Sequence, residues 1–247
     1  MQLTVLGTSG AYPGAGAACS GYLVAEKDVR LLLDCGTGVL SNLQHHAQPW
    51  DISHILITHL HADHFLDIFP FRYALWRTRR GRPFLYLPPG GEEGLLRISA
   101  LFDPSPSFLS EFFHIEEYDP NGTIELGGVT VELAPVKHYV PTCAVAVSGA
   151  AGRIVYSADC GPCETLEDLA RRADVFLCEA ARVGGEEGGW GHMSPREAAE
   201  IARRAGVGRL VLTHFWPEHD YSRDLTLVKD VFGGPVEAAV VNATYSL

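Results

Sequence analysis

Ile55-Leu56-Ile57-Thr58-His59-Leu60-His61-Ala62-Asp63-His64 is the stretch on which the reading of this chain turns. An apolar triplet that reads as a buried strand runs into three imidazoles and a carboxylate spaced H-x-H-x-D-H. Neutral imidazole nitrogen and carboxylate oxygen are donors that zinc and its divalent neighbours accept. Side chains leaving a strand where it breaks into a turn can converge on one point. The bland alternative is a polar turn that happens to be histidine-rich, and four donors at fixed spacing weigh against it.

Working outward, the same arrangement recurs. Arg30 to Leu33 reads as a strand, hairpinned to Tyr22 to Ala25 around Glu26-Lys27-Asp28, and it delivers Asp34. Val129 to Pro135 delivers Lys137-His138, Ile154 to Tyr156 delivers Ser157-Ala158-Asp159, Val175 to Cys178 ends in Glu179, and Leu210 to Leu212 ends in Thr213-His214. Ligands of open α/β architectures bind outside such strand ends. Taken singly, His138 or His214 reads as a hydrogen-bonded structural histidine and Asp159 as a turn residue; taken with residues 59 to 64 they read as one site. His45, His46, His54, His114 and His219 have no matching partners and are read as structural or exposed.

Helices are expected after Gly38, over Phe65 to Thr78, Glu92 to Leu101 and Glu164 to Arg172, and over Ser194 to Ala205. In the last of these Ser194, Pro195 and Glu197 make a capping box. Gly7 to Gly14 reads as a tight connection, with phosphate contact the lesser alternative, because it lacks the glycine spacing and the following helix of a dinucleotide site. Two internal echoes suggest face-to-face halves: Arg30 to Gly36 with Arg153 to Gly161, and Ile55 to His59 with Leu210 to His214.

The chain has 247 residues, 47% of them hydrophobic, with no linker or low-complexity segment, so a single domain over 1–247 is expected. The start shows no basic and apolar leader, and no run is long enough to span a bilayer, so a cytoplasmic protein without a membrane partner is expected. The six cysteines are scattered and suit a reducing compartment. A formal charge of −11 disfavours nucleic acid as a partner without excluding it, and the one basic cluster, Arg77, Arg79, Arg80 and Arg82, fits the C-terminus of a helix.

As a set, H-x-H-x-D-H followed by a lone His, a lone Asp and a lone His, with an Asp before them all, resembles the metallo-β-lactamase-fold metallohydrolases along the whole chain. The resemblance implies an α/β fold, a four-layer αββα sandwich with the site where strand ends meet. It implies two divalent ions: His59, His61 and His138 on one, Asp63, His64 and His214 on the other, Asp159 bridging both, and Asp34 behind them orienting a histidine or packing beneath the site. Asp63 is thus counted among both the ligands and the catalytic residues. Imidazoles dominate, so zinc is the first expectation, with manganese or iron admitted by the carboxylates.

Leu177-Cys178-Glu179-Ala180-Ala181 followed by Gly191-His192-Met193-Ser194 is similar to ribonuclease Z and its phosphodiesterase relatives. There a Glu holds a His that faces the scissile phosphate; here that implies Glu179 orienting His192, the alternative being a loop histidine that caps the helix after it. Ribonuclease Z also carries a Gly/Pro-rich tRNA-gripping arm between the lone His and the bridging Asp, whereas here a short hairpin joins His138 to Asp159. The resemblance therefore implies a phosphodiesterase for a small or cyclic phosphodiester. The alternatives are a ribonuclease Z-type endonuclease, a thioester or lactone hydrolase, and a metal-binding or redox-sensing protein built on Cys160-Gly161-Pro162-Cys163; homodimerisation is left open.

Overall fold

The computed structural model describes residues 1–183 and 190–247. In chain order the strands are β1 (Gln2–Gly7), β2 (Gly21–Glu26), β3 (Val29–Leu33), β4 (His54–Leu56), β5 (Phe84–Leu87), β6 (His114–Glu117), β7 (Thr123–Leu126), β8 (Val129–Val136), β9 (Thr142–Gly149), β10 (Gly152–Tyr156), β11 (Val175–Glu179), β12 (Leu210–Thr213), β13 (Val236–Ala238) and β14 (Thr244–Ser246). The helices are α1 (Val39–Leu43), α2 (Ala62–Phe65), α3 (Ile68–Thr78), α4 (Gly91–Ser99), α5 (Glu164–Ala170), α6 (Pro195–Ala205) and α7 (Ser222–Phe232).

Among the described residues the strands form two seven-stranded sheets, ordered β14-β1-β2-β3-β4-β5-β6 and β13-β12-β11-β10-β9-β8-β7. Alternation along the strands sorts side chains into layers. Leu31 and Leu33 face inward, where they share a core with Val145, Val147, Tyr156 and Leu177 of the opposite sheet. Leu32 faces outward with Ile55 and Ile57 against Phe71 and Leu75 of α3. Val155, Phe176 and Leu212 face α5, α6 and α7, meeting Leu166, Ile201 and Val228. Three apolar layers between four layers of secondary structure make the αββα sandwich.

The sheets repeat one design: an antiparallel run (β14-β1-β2-β3, β7-β8-β9-β10) continues as a parallel run (β4-β5-β6, β11-β12-β13). The first sequence echo is therefore real equivalence, since β3 and β10 hold matching places. The second is not: β4 matches β11 in the sheet order, so Ile55 to His59 resembles Leu210 to His214 because both belong to buried parallel strands, which read as continuous apolar runs.

The helix expected over Phe65 to Thr78 is divided into α2 and α3. Cys35 donates its N–H to His64 O and accepts from Asp67 N, taking both groups out of a helical ladder, and Pro70 has no N–H to offer Leu66. β6, β13, β14 and α7 leave little signal in the sequence. β6, β13 and β14 are short edge or near-edge strands with partly exposed positions, and α7 starts at Tyr221 without a side-chain cap. The capping box of α6 is present, and the helix ends at Gly206 in the left-handed region. No helix among the described residues is long and apolar enough to cross a membrane.

Candidate metal centre

The parallel strands of both sheets end at one edge, and their last residues turn sharply. Asp34 after β3, Ala158 after β10 and His214 after β12 have φ of 59°, 51° and 60°, and Ala11 in the loop after β1 has 58°. Non-glycine residues in the left-handed region are strained, and four around one site mark backbone held there by surrounding structure.

The edge brings together two groups of donor atoms, each lying within 4.8 Å of one another: His59, His61, His138 and Asp159, and Asp63, His64, His214 and Asp159. These are the two sets that the resemblance implied, with Asp159 common to both. His61 Nδ1 faces His138 Nε2 at 3.1 Å, and Asp159 stands 3.1 Å from His214 Nε2, 3.3 Å from His64 Nε2 and 3.7 Å from His59 Nε2.

Four of the five histidines are fixed by their other nitrogen, which sets tautomer and ring direction. His64 Nδ1 donates to Asp34 Oδ2 at 2.8 Å, and His138 Nδ1 donates to Gly191 O at 2.7 Å. His214 Nδ1 lies 3.0 Å from Ser20 Oγ, and His59 Nδ1 lies 3.1 Å from Thr58 Oγ1. Asp34 thus orients a histidine rather than merely packing. It is held in turn by Thr58 N at 2.8 Å and by Tyr156 OH at 3.0 Å, across the interface between the sheets. Asp63 Oδ2 accepts from Ala11 N at 2.7 Å, so the loop read as a plain connection in fact aims a carboxylate. Ser20, Ala11 and Tyr156 carry no motif; only their position in space assigns them a part.

Burial disfavours charge on the imidazoles: His59 is held well below the ordinary histidine value, His61 below it, and His138 at about 4. They present neutral lone pairs. His64 is also opposed by burial, but Asp159 and Asp34 on either side outweigh it and hold its pKa well above the usual value. Asp159, buried and opposed by desolvation, is nonetheless kept ionised by His214 and His64. His59 Nε2, His64 Nε2 and Asp159 Oδ1 are buried without a hydrogen-bond partner among the described residues. Orphaned buried donors and acceptors that converge in this way are what bound cations would satisfy, so the residues fit a pair of divalent ions.

Beside the cluster, fully buried Glu179 accepts through Oε1 from His192 Nδ1 at 2.8 Å and from Cys160 N at 2.7 Å, and through Oε2 from Ala181 N at 3.1 Å. His192 does not cap α6, because Ser194 does so. Its ring stacks on His214 at 5.7 Å and lies 5.0 Å from that of His138. Burial opposes its charge but Glu179 prevails, raising its pKa to about 9. Cys160 serves the site through its backbone. Burial, with Glu179 nearby, pushes its thiol well above the ordinary value, which works against the thiolate that a redox motif needs.

His192 opens onto a cleft of about 620 Å³ lined also by Tyr139, Arg182, Trp216, Glu218 and His219. His219, read as structural or exposed, is therefore at the site's rim, bonded to Asp224 at 2.9 Å. The arginine cluster is elsewhere: Arg79 pairs with Glu111, Arg80 lies over Trp50 and Arg82 donates to Ser110 O.

A family model described as a beta-lactamase superfamily domain matches residues 29–215. The chain is 36% identical to uncharacterized protein ML1173 of Mycobacterium leprae, covering 100% of this chain and 89% of that one. It is 31% identical to the probable metallo-hydrolase YhfI of Bacillus subtilis, covering 97% of each; the crystal structure of YhfI superposes with a TM-score of 0.89 at 26% identity, covering 100% of this chain and 99% of that one. It is 29% identical to ribonuclease Z of Myxococcus xanthus, covering 100% of this chain and 98% of that one. Together with the αββα sandwich and the paired His/Asp groups at its edge, these likenesses mean that the chain belongs to the metallo-β-lactamase-fold metallo-hydrolases, in their ribonuclease Z-like branch.

Proposed function

We propose that the protein is a phosphodiesterase that uses two divalent ions, with zinc the first choice, to hydrolyse a small or cyclic phosphodiester. The observation that carries this reading is the Glu179–His192 pair, 2.8 Å apart, set beside the histidine cluster and facing a cleft. His59, His61 and His138 would hold one ion, Asp63, His64 and His214 the other, and Asp159 would contact both. When bound, such a pair supplies an activated water and Lewis-acid stabilisation of charge on phosphoryl oxygens.

The chain's own part is positioning and proton transfer. Glu179 accepts at Nδ1, so the second proton of the His192 imidazolium sits on Nε2. From there His192 can donate to the departing oxygen and balance its negative charge. Asp34, Ser20 and Gly191 O keep the cluster's nitrogens aimed inward. The hairpin between β9 and β10 turns within Ala150-Ala151, which leaves no arm to grip a folded polynucleotide and, with a charge of −11, favours a small substrate. Six free cysteines suit a cytoplasmic location.

Metal-loaded protein should hydrolyse model phosphodiesters in preference to thioesters and lactones, and chelation should abolish turnover. His192→Ala should lower kcat by about 10²–10⁴ while retaining both ions by elemental analysis. Full activity in that variant, or a preference for thioesters, would overturn the reading.

A further inference from the structure

A second pocket, of about 230 Å³, shares no lining residue with the cleft onto which His192 opens. Its walls come from both sheets: Pro88 and Pro89 follow β5, Pro120 follows β6, Pro135 lies in β8 and Pro141 precedes β9. Proline has a fixed φ and no N–H, so these walls are stiff and offer no backbone donor. The polar side chains of the lining are already engaged. Tyr118 OH is shared between Ile57 O and Thr58 O, each at 3.0 Å, Thr142 Oγ1 donates to Val140 O at 2.9 Å, and Cys143 Sγ donates to Pro120 O at 3.7 Å. No charged side chain lines the pocket among the described residues. A charged ligand would lose its hydration there without compensation, whereas an uncharged ring would lose little. The volume sets the size: it falls below the range of drug-sized sites, about 300–1,000 Å³, and above the roughly 150 Å³ that suffices for benzene.

The pocket also touches the groups that aim the donor cluster. Thr58 is held from the pocket side by Tyr118 OH and by Cys143 N at 3.4 Å; its Oγ1 donates to Asp34 Oδ1 at 3.0 Å and lies 3.1 Å from His59 Nδ1. Val136 and Thr142, both in the lining, pair across β8 and β9, so the segment 137–141 that carries His138 leaves and rejoins the pocket's rim.

The structure assigns this pocket as a binding site for a small uncharged aromatic ligand, coupled to the donor cluster through Thr58 and the His138 segment. Ions that fix His138 order this segment, and so does a ring lodged against Val136 and Pro141. Each therefore lowers the ordering left for the other, and the coupling is reciprocal. None of the readouts below uses turnover, so they stand apart from the phosphodiesterase reading. Indole is the probe, titrated into the full-length, metal-loaded protein and followed by NMR. It should bind saturably with a Kd of about 1 mM or tighter, and NOEs to the Tyr118 ring and to Pro141 should locate it. Indole-3-carboxylate, the same ring with a charge, should bind about tenfold more weakly. Val136→Phe, which fills the pocket, and Pro141→Ala, which removes part of a wall, should each weaken indole by about fivefold. Pro141 is exposed, so its variant guards against a folding defect at Val136. Metal-stripped protein should bind indole about threefold more weakly, and indole should tighten metal binding, read by chelator competition, by the same factor. No saturable binding, equal binding of the carboxylate, an affinity unchanged in both variants, or equal affinity with and without ions overturns the assignment.

Discussion

His192 keeps its proton because a fully buried carboxylate faces it. Desolvation alone would drive the imidazole neutral; the hydrogen bond and the charge of Glu179 reverse the sign and raise its pKa to about 9. A folded value above the ordinary 6.5 means that the pair's contribution to stability is complete below about pH 6.5 and is lost as pH rises through about 9. Glu179→Gln keeps the shape and removes the charge. In metal-free protein, an NMR titration of His192 should then fall from about 9 to 6.5 or below; a value that stays near 9 would mean that another group holds the proton.

Among the elements, the turn at Gly10-Ala11 decides how one half of the donor cluster is aimed. Ala11 donates to Asp63 from a strained conformation, while Gly10 lies so close to His214 that a Cβ added there would stand 2.9 Å from its Cδ2 and Nε2. Gly10 N bonds to Phe215 O, and Phe215 N bonds to Thr8 O, so the loop cannot easily retreat. Gly10→Ala should therefore displace His214 and weaken binding of one of two ions by about 10–100-fold, the usual consequence of disturbing groups that orient ligands. Competition against a chelator, with metal stoichiometry read directly, checks this; two ions held with wild-type affinity would refute it.

The whole molecule is clamped at its sheet interface by the groups that build the centre. Tyr156 reaches from one sheet to Asp34 of the other, Tyr22 reaches back to Thr213 Oγ1 at 2.8 Å, and their rings meet at 4.8 Å. Tyr156→Phe should cost about 1.5–3 kcal/mol, the range for a hydrogen bond to a charged group, measured by urea unfolding. An unchanged midpoint would show that Asp34 is satisfied without it. Bound ions should add to this clamp. At a free concentration 100 times Kd each ion contributes about 2.7 kcal/mol, so losing one should lower Tm by about 5–10 °C in a chain of this size and losing both by about twice that. An equal Tm with and without metal would mean that the donor groups hold none.

The donors were legible because they cluster in sequence or stand where apolar runs stop: His59 to His64, His138, Asp159 and His214 could be named from strand-end position and family resemblance together. The buried strands and the capped helix α6 were legible for the same reason, since burial writes periodicity and caps into local sequence. Short edge strands, with exposed positions, write little. What only the tertiary structure decided is how the donors are held: Ser20 behind His214, Ala11 against Asp63 and Tyr156 on Asp34 lie 194, 52 and 122 residues away in the chain. It also decided that Tyr139 and Trp216 share a cleft, and that β4 matches β11 rather than β12. Chemistry at a strand end is local and leaves a motif; orientation depends on whatever the folded chain brings alongside, and contacts across such separations leave no spacing to read.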